Sequence, residues 1–84
     1  GRADAVMFSP STVFVFEIKI NKSAQEALAQ IDNKGYMVPF EADGRKLVKI
    51  GINFSTTTRT IEDWEYRIQA NDSTTPIPPV GLKS

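Results

Sequence analysis

Two carboxylates and one lysine are the side chains of this sequence best suited to chemistry. Glu17 and Lys19 lie two positions apart in an otherwise apolar segment, and Asp4 lies upstream of them. Successive side chains of a β-strand point to opposite faces, so Glu17 and Lys19 share one face. Carboxylate oxygens are the hard ligands that Mg²⁺ and Mn²⁺ prefer, and a lysine adds a positive point charge. The three residues therefore predict a divalent metal site.

The register of a predicted hairpin brings Asp4 to Glu17. If the turn spans residues 9–12, Phe8 pairs with Val13, and counting outward along both strands sets Asp4 opposite Glu17. Residues directly opposite each other have Cβ atoms about 4.5–5.5 Å apart. Two carboxylates at that distance repel unless a cation compensates them. A turn longer or shorter by one residue would separate the pair, so the metal site depends on this turn.

A carboxylate pair beside a lysine also has an interpretation without chemistry, as a solvated cluster of charges across two strands. Surface ion pairs of this kind are common and weak. Spacing alone leaves the metal site and the surface cluster equally open.

Composition excludes several other kinds of site. The chain has no cysteine and no histidine, which excludes thiol nucleophiles, Cys/His zinc sites and Ser-His-Asp triads. The absence of cysteine fits a reducing compartment, and we expect a cytoplasmic protein with no membrane span. Ten basic and ten acidic residues give a formal net charge of zero. A free-standing nucleic-acid binder usually has a basic surface, so the balance counts against strong autonomous DNA binding.

The sequence predicts four strands around these residues. They span residues 4–8, 13–20, 46–54 and 60–69, where β-branched and aromatic residues are frequent. Residues 60–69 alternate in polarity, which is typical of a half-exposed strand at a sheet edge. Gly51 inside the third strand predicts a bulge or a close approach of the helix.

One helix is predicted between the second and third strands. Ser23 and Glu26 match a capping box at its start. Its apolar stripe comprises Ala24, Ala27, Leu28 and Ile31. Gly35 could end the helix, but we expect it to continue towards Pro39 because Tyr36 and Phe40 would share a face.

The element order predicts an α+β domain of β-β-α-β-β type, with a mixed four-stranded sheet and one main helix. The strands on either side of the helix should be parallel, with a right-handed crossover, and the sheet order should follow the chain. The helix is expected to cover the face that carries Phe14, Phe16, Ile18 and Ile20. We assign residues 1–70 to the domain and residues 71–84, rich in Ser, Thr, Pro and Gly, to a disordered tail or linker.

Asp4 followed after a hairpin by Glu17-Ile18-Lys19 resembles the PD-(D/E)xK nuclease superfamily. The chain is most similar to an uncharacterised nuclease-like branch, found C-terminal to AAA-ATPase-like domains in bacterial proteins. The similarity covers residues 1 to about 68. The matching segments are Gly1-Arg2-Ala3-Asp4, Val15-Phe16-Glu17-Ile18-Lys19, Ala27-Leu28-Ala29-Gln30-Ile31, Gly35-Tyr36, Val48-Lys49-Ile50-Gly51-Ile52-Asn53-Phe54-Ser55 and Arg59-Thr60-Ile61-Glu62-Asp63-Trp64.

The resemblance implies a restriction-endonuclease-like fold and a role for each motif residue. Asp4 and Glu17 would bind catalytic Mg²⁺ or Mn²⁺, with the backbone carbonyl of Ile18 completing the ligand set. Lys19 would orient or activate the attacking water. Gln30 matches an auxiliary glutamine that helps to place the metal or the lysine, although a structural role is equally open.

The resemblance also indicates the binding partners of the chain and which elements of the family core the chain is expected to lack. The substrate would be nucleic acid, with DNA favoured over RNA. The family core begins with a helix and a strand before Asp4, so we interpret the chain as an incomplete domain. Its missing segment or the ATPase-like domain would be a partner, and the exposed strand edge could also form a homodimer.

The sequence leaves three functions open. The chain is a metal-dependent nuclease domain, a nuclease fold that binds or regulates without catalysis, or a structural domain without chemistry.

Some further residues give weaker indications of function. The scattered basic residues are better explained as solvated surface than as a phosphate path. Tyr36 is better explained as a packing residue than as part of the auxiliary motif. Trp64 and Tyr66 are likewise better explained by packing than as a base-stacking surface.

Overall fold

A computed structural model describes residues 2–69 of the chain. Its elements are β1 Ala5–Phe8, β2 Thr12–Ile20, α1 Ala24–Asn33, a 3₁₀ turn at Val38–Phe40, β3 Lys46–Ser55 and β4 Thr60–Gln69. All four predicted strands are confirmed, with ends that differ by at most one residue. The predicted tail at residues 71–84 lies outside the described residues.

The four strands form one mixed sheet in the order β1-β2-β3-β4. The pairs β1–β2 and β3–β4 are antiparallel, whereas β2 and β3 are parallel and are connected through α1. This arrangement confirms the predicted α+β class, the strand order and the edge position of β4.

The turn between β1 and β2 sets the register on which the site depends. The Thr12 amide donates to Ser9 Oγ at 3.0 Å, and the Ser9 amide donates to the Thr12 carbonyl at 2.8 Å. Phe8 consequently pairs with Val13, as predicted, and the strands remain in step to Ala5 and Phe16. Asp4 directly precedes β1, so the same register brings it opposite Glu17.

Helix α1 begins where the capping box places it and ends earlier than predicted. Ser23 Oγ accepts the Glu26 amide at 3.0 Å. The helix stops at Asn33, and Gly35 adopts a φ of +68°. The expected continuation towards Pro39 is wrong, because a left-handed glycine ends the helix before Tyr36. Tyr36 instead packs against the hydrophobic core.

The helix covers the opposite sheet face from the one predicted. Its buried side chains pack on the face of Val13 and Val15, and Phe14, Phe16, Ile18 and Ile20 lie on the other face. The covered face follows from the crossover between β2 and β3, and α1 lies very close to the sheet there. A Cβ placed on Gly51 would lie 2.4 Å from the Ala24 carbonyl oxygen, so the helix can approach the sheet this closely only where residue 51 has no side chain. The same distance confirms the predicted close approach at Gly51.

The uncovered face is apolar and largely exposed. Ile18, Ile52 and Trp64 form one row across β2, β3 and β4. Trp64 and Tyr66 stack with centroids 6.4 Å apart and remain 60% and 54% exposed. These two rings therefore pack on each other at the edge of the sheet and not in the core. Among residues 2–69, no helix is long and apolar enough to cross a membrane.

Candidate active site

Asp4 is held against β2 by two hydrogen bonds. Its backbone amide donates to the Phe16 carbonyl at 3.1 Å, and its Oδ2 accepts the Ile18 amide at 2.8 Å. The carboxylate therefore takes a backbone donor that would otherwise seek a carbonyl on the neighbouring strand. These contacts fix the Asp4 side chain beside Glu17, although Asp4 itself is exposed and lies just before β1.

Glu17 is buried under α1, and only one of its two carboxylate oxygens has a hydrogen-bond partner in residues 2–69. The residue is 4% exposed, and its Oε2 accepts a hydrogen bond from Gln30 Nε2 on the helix. Its other oxygen, Oε1, is buried and has no hydrogen-bond partner among residues 2–69. A buried carboxylate oxygen without a partner is costly. This burial disfavours the solvated surface cluster as an explanation of the pair.

The surroundings of Glu17 raise its pKa above the ordinary value of 4.5. Burial is the largest cause, because desolvation penalises the charged form, and the negative charge of Asp4 acts in the same direction. The backbone of Asp4 and the positive charge of Lys19 oppose the shift without cancelling it. A proton or a cation is therefore favoured at this carboxylate.

Lys19 lies next to Glu17 on the same face of β2 and opens onto a cleft along α1. This α1 cleft has a volume of about 430 Å³. Its polar lining residues are Lys19, Lys22, Glu26, Gln30, Asn33 and Lys34. Because Lys19 and Gln30 belong to both the carboxylate site and the cleft, the two are continuous.

The donor set suits a hard divalent cation with few protein ligands. Within residues 2–69, no group of three or more acidic side chains converges, so the carboxylates are a pair. Mg²⁺ commonly uses one or two carboxylates and completes its octahedron with water. The partnerless Glu17 Oε1 is an oxygen that such an ion would satisfy, so these residues fit the ion.

Two residues that the sequence analysis missed anchor the start of the helix. Asn53 Oδ1 accepts the Lys22 amide at 2.8 Å, and Asp63 Oδ2 accepts the Ala24 amide at 3.2 Å. These bonds tie the first turn of α1 to β3 and β4, which helps to set the height of Gln30 above Glu17. The sequence feature that could have indicated this anchor is Asn53 itself, because it is a polar residue inside a buried strand.

The fold and the site together define a small nuclease-like core, with an acidic residue at the end of one strand and Glu-x-Lys on the next. The chain belongs to the PD-(D/E)XK nuclease superfamily, whose family model matches residues 1–64. A search of curated proteins and a search of solved structures gave no significant match.

Proposed function

We propose that this chain is a metal-dependent nuclease domain that hydrolyses phosphodiester bonds of nucleic acid, with DNA as the favoured substrate. The observation that carries the proposal is the buried Glu17 Oε1 beside Asp4, in a chain of the PD-(D/E)XK superfamily. A partnerless buried carboxylate oxygen is expected at a functional site and is unfavourable in a purely structural one.

Asp4, Glu17 and the Ile18 carbonyl would hold Mg²⁺ or Mn²⁺. When bound, such an ion polarises a phosphate oxygen and makes a water more acidic. Gln30 keeps the Glu17 carboxylate in one orientation through its hydrogen bond to Oε2. Lys19 contributes a positive charge that offsets charge developing on the phosphate, and it orients the attacking water.

Cleavage of labelled oligonucleotides tests the proposal. We expect cleavage by the full chain with Mg²⁺ or Mn²⁺, none with chelator, and losses of at least about a hundredfold in Asp4→Asn and Glu17→Gln. Glu62→Gln is the matched control, because Glu62 is an exposed carboxylate on β4 away from the site. Cleavage that persists in chelator or in Glu17→Gln would contradict the proposal.

A nuclease fold that binds without catalysis is the second candidate, and the uncovered apolar sheet face favours it. Contiguous exposed apolar surface is typical of a binding site. Nucleic-acid binding by the full chain without cleavage under any divalent metal would select this alternative.

The edge strand β1 is the proposed site for a further strand. All four of its residues are exposed, and an edge strand presents unpaired backbone donors and acceptors. We assign this edge to the upstream segment of the longer, ATPase-containing protein that the sequence resemblance implies. A molecular mass that doubles with concentration would indicate a homodimer instead.

A further inference from the structure

The basic side chains of the domain differ in whether a carboxylate neutralises them. Arg45 pairs with Asp43 at 2.8 Å, Lys49 with Asp32 at 2.8 Å and Arg67 with Glu65 at 2.9 Å. Lys19, Lys22 and Lys34 form no ion pair with any carboxylate in residues 2–69. All three line the α1 cleft. Three of the six basic residues that form no ion pair within residues 2–69 therefore lie in one cleft beside the carboxylate site, although the whole chain has zero net charge.

The two outer lysines lie at opposite ends of the helix. Lys22 precedes the N-cap, and Lys34 is the C-cap residue. Ten helical residues span about 15 Å. One strand of a duplex advances about 3.4 Å per nucleotide, so the length of the cleft along the helix corresponds to about four nucleotides of one strand. Asn33 adds an uncharged hydrogen-bond donor on the same wall.

We propose that the α1 cleft binds the sugar–phosphate backbone of the substrate strand beside the scissile phosphate, with Lys22 and Lys34 as its phosphate contacts. This inference rests on the proposed nuclease function and specifies how that site holds its substrate. The lysines act as point charges on flexible stems, so they contact phosphates without reading the base sequence. Continuity through Lys19 leads the bound strand to Asp4 and Glu17.

Glu26 lies in the same cleft and opposes the three lysines. Its carboxylate would repel a phosphate at this site. The cleft is therefore tuned to moderate affinity, and removal of the Glu26 charge should strengthen binding. A structural interpretation of the lysines as ordinary surface predicts no such gain.

Fluorescence anisotropy tests the inference with the full chain and short labelled single-stranded and duplex DNA, in chelator and at several salt concentrations. The test variant is Lys22→Gln/Lys34→Gln. The matched control is Lys46→Gln/Arg59→Gln, which removes two exposed positive charges outside the cleft. Circular dichroism establishes that both variants are folded.

We expect the test variant to bind at least about tenfold more weakly, with the slope of log affinity against log salt reduced by about 1.4 to 1.8. The control should bind within about twofold of the wild type, and Glu26→Gln should bind more tightly. Equal losses in both double variants, or no binding by the wild type, would overturn the inference. Binding without metal does not require catalysis, so cleft binding without cleavage would refute the nuclease proposal alone, and cleavage unaffected by the test variant would refute the cleft alone.

Discussion

Glu17 combines two features that are unfavourable in a protein interior. Its carboxylate is buried, and one of its oxygens has no hydrogen-bond partner in the part of the chain that the structure describes. Desolvation of an ionised group with an unmet hydrogen bond costs about 1–3 kcal/mol or more. A cation beside Asp4 and Glu17 would offset this cost, and a proton would offset part of it.

The raised pKa of Glu17 predicts how stability depends on pH. The folded chain binds this proton more tightly than the unfolded chain, so the stabilisation is complete below the ordinary pKa of 4.5. The free energy of unfolding of the metal-free chain should then fall as pH rises through the raised pKa of Glu17.

Urea unfolding in chelator at several pH values measures this dependence. The decrease should be absent in Glu17→Gln, which cannot ionise but retains an oxygen that accepts from Gln30. With saturating Mg²⁺ the sign should reverse, because the ion binds the deprotonated carboxylate. The same pH dependence in Glu17→Gln would assign it to another group.

Lys19→Met should separate catalysis from metal binding. Methionine retains an apolar stem without the charge, so Asp4 and Glu17 should still bind Mn²⁺ within about threefold of the wild-type affinity. Cleavage should fall by about a hundredfold or more, because the charge offsets negative charge in the transition state. Calorimetry and a cleavage assay provide the two values, and equal losses in both would give Lys19 a metal-binding role.

At the scale of the elements, local signals in the sequence predicted most of the fold. The four strands, the capping box at Ser23 and the turn at residues 9–12 depend on nearby residues, and the register that brings Asp4 to Glu17 follows from that turn. The end of the helix was predicted wrongly, because Gly35 competes with the apolar spacing of Tyr36 and Phe40.

The face covered by α1 could not be read from apolar content. The larger apolar side chains of β2 are on the uncovered face, and the helix prefers the smaller ones. Which face a right-handed crossover covers depends on the side of β2 on which β3 pairs, and this is a property of the whole sheet. The burial of Glu17 and its bond to Gln30 follow from that choice, so the sequence suggested these candidate residues but not their environment.

Gly51→Ala tests the close approach of helix and sheet. The added Cβ would lie 2.4 Å from the Ala24 carbonyl oxygen and 2.9 Å from the Leu28 amide, so α1 must move away. We expect a loss of about 1–3 kcal/mol in the free energy of unfolding, measured in urea. Metal affinity should fall as well, because Gln30 moves with the helix. An unchanged free energy of unfolding would show that α1 adjusts without cost.

At the scale of the molecule, α1 covers one face of the sheet, and within residues 2–69 no second α-helix covers the other face. Ile18, Trp64 and Tyr66 are exposed on the other face. A domain of this size has a small core and marginal stability. Exposed apolar surface together with zero net charge favours association.

This surface predicts binding of an apolar fluorescent dye by the folded chain. Trp64→Thr/Tyr66→Thr should reduce dye fluorescence at least about twofold and change the free energy of unfolding by less than about 1 kcal/mol, because both rings are more than half exposed. Dye titration and urea unfolding test the two parts. A large loss of stability would mean that the rings are packed.

The most direct test of the central claim is an NMR titration of the full chain with trace Mn²⁺. A metal held by Asp4 and Glu17 should selectively broaden the amide signals of Asp4, Ile18 and Lys19 and the side-chain amide of Gln30. Excess Mg²⁺ should restore these signals, and Glu17→Gln should show no broadening. Uniform or absent broadening, or selective broadening that persists in Glu17→Gln, would contradict a metal site at the carboxylate pair.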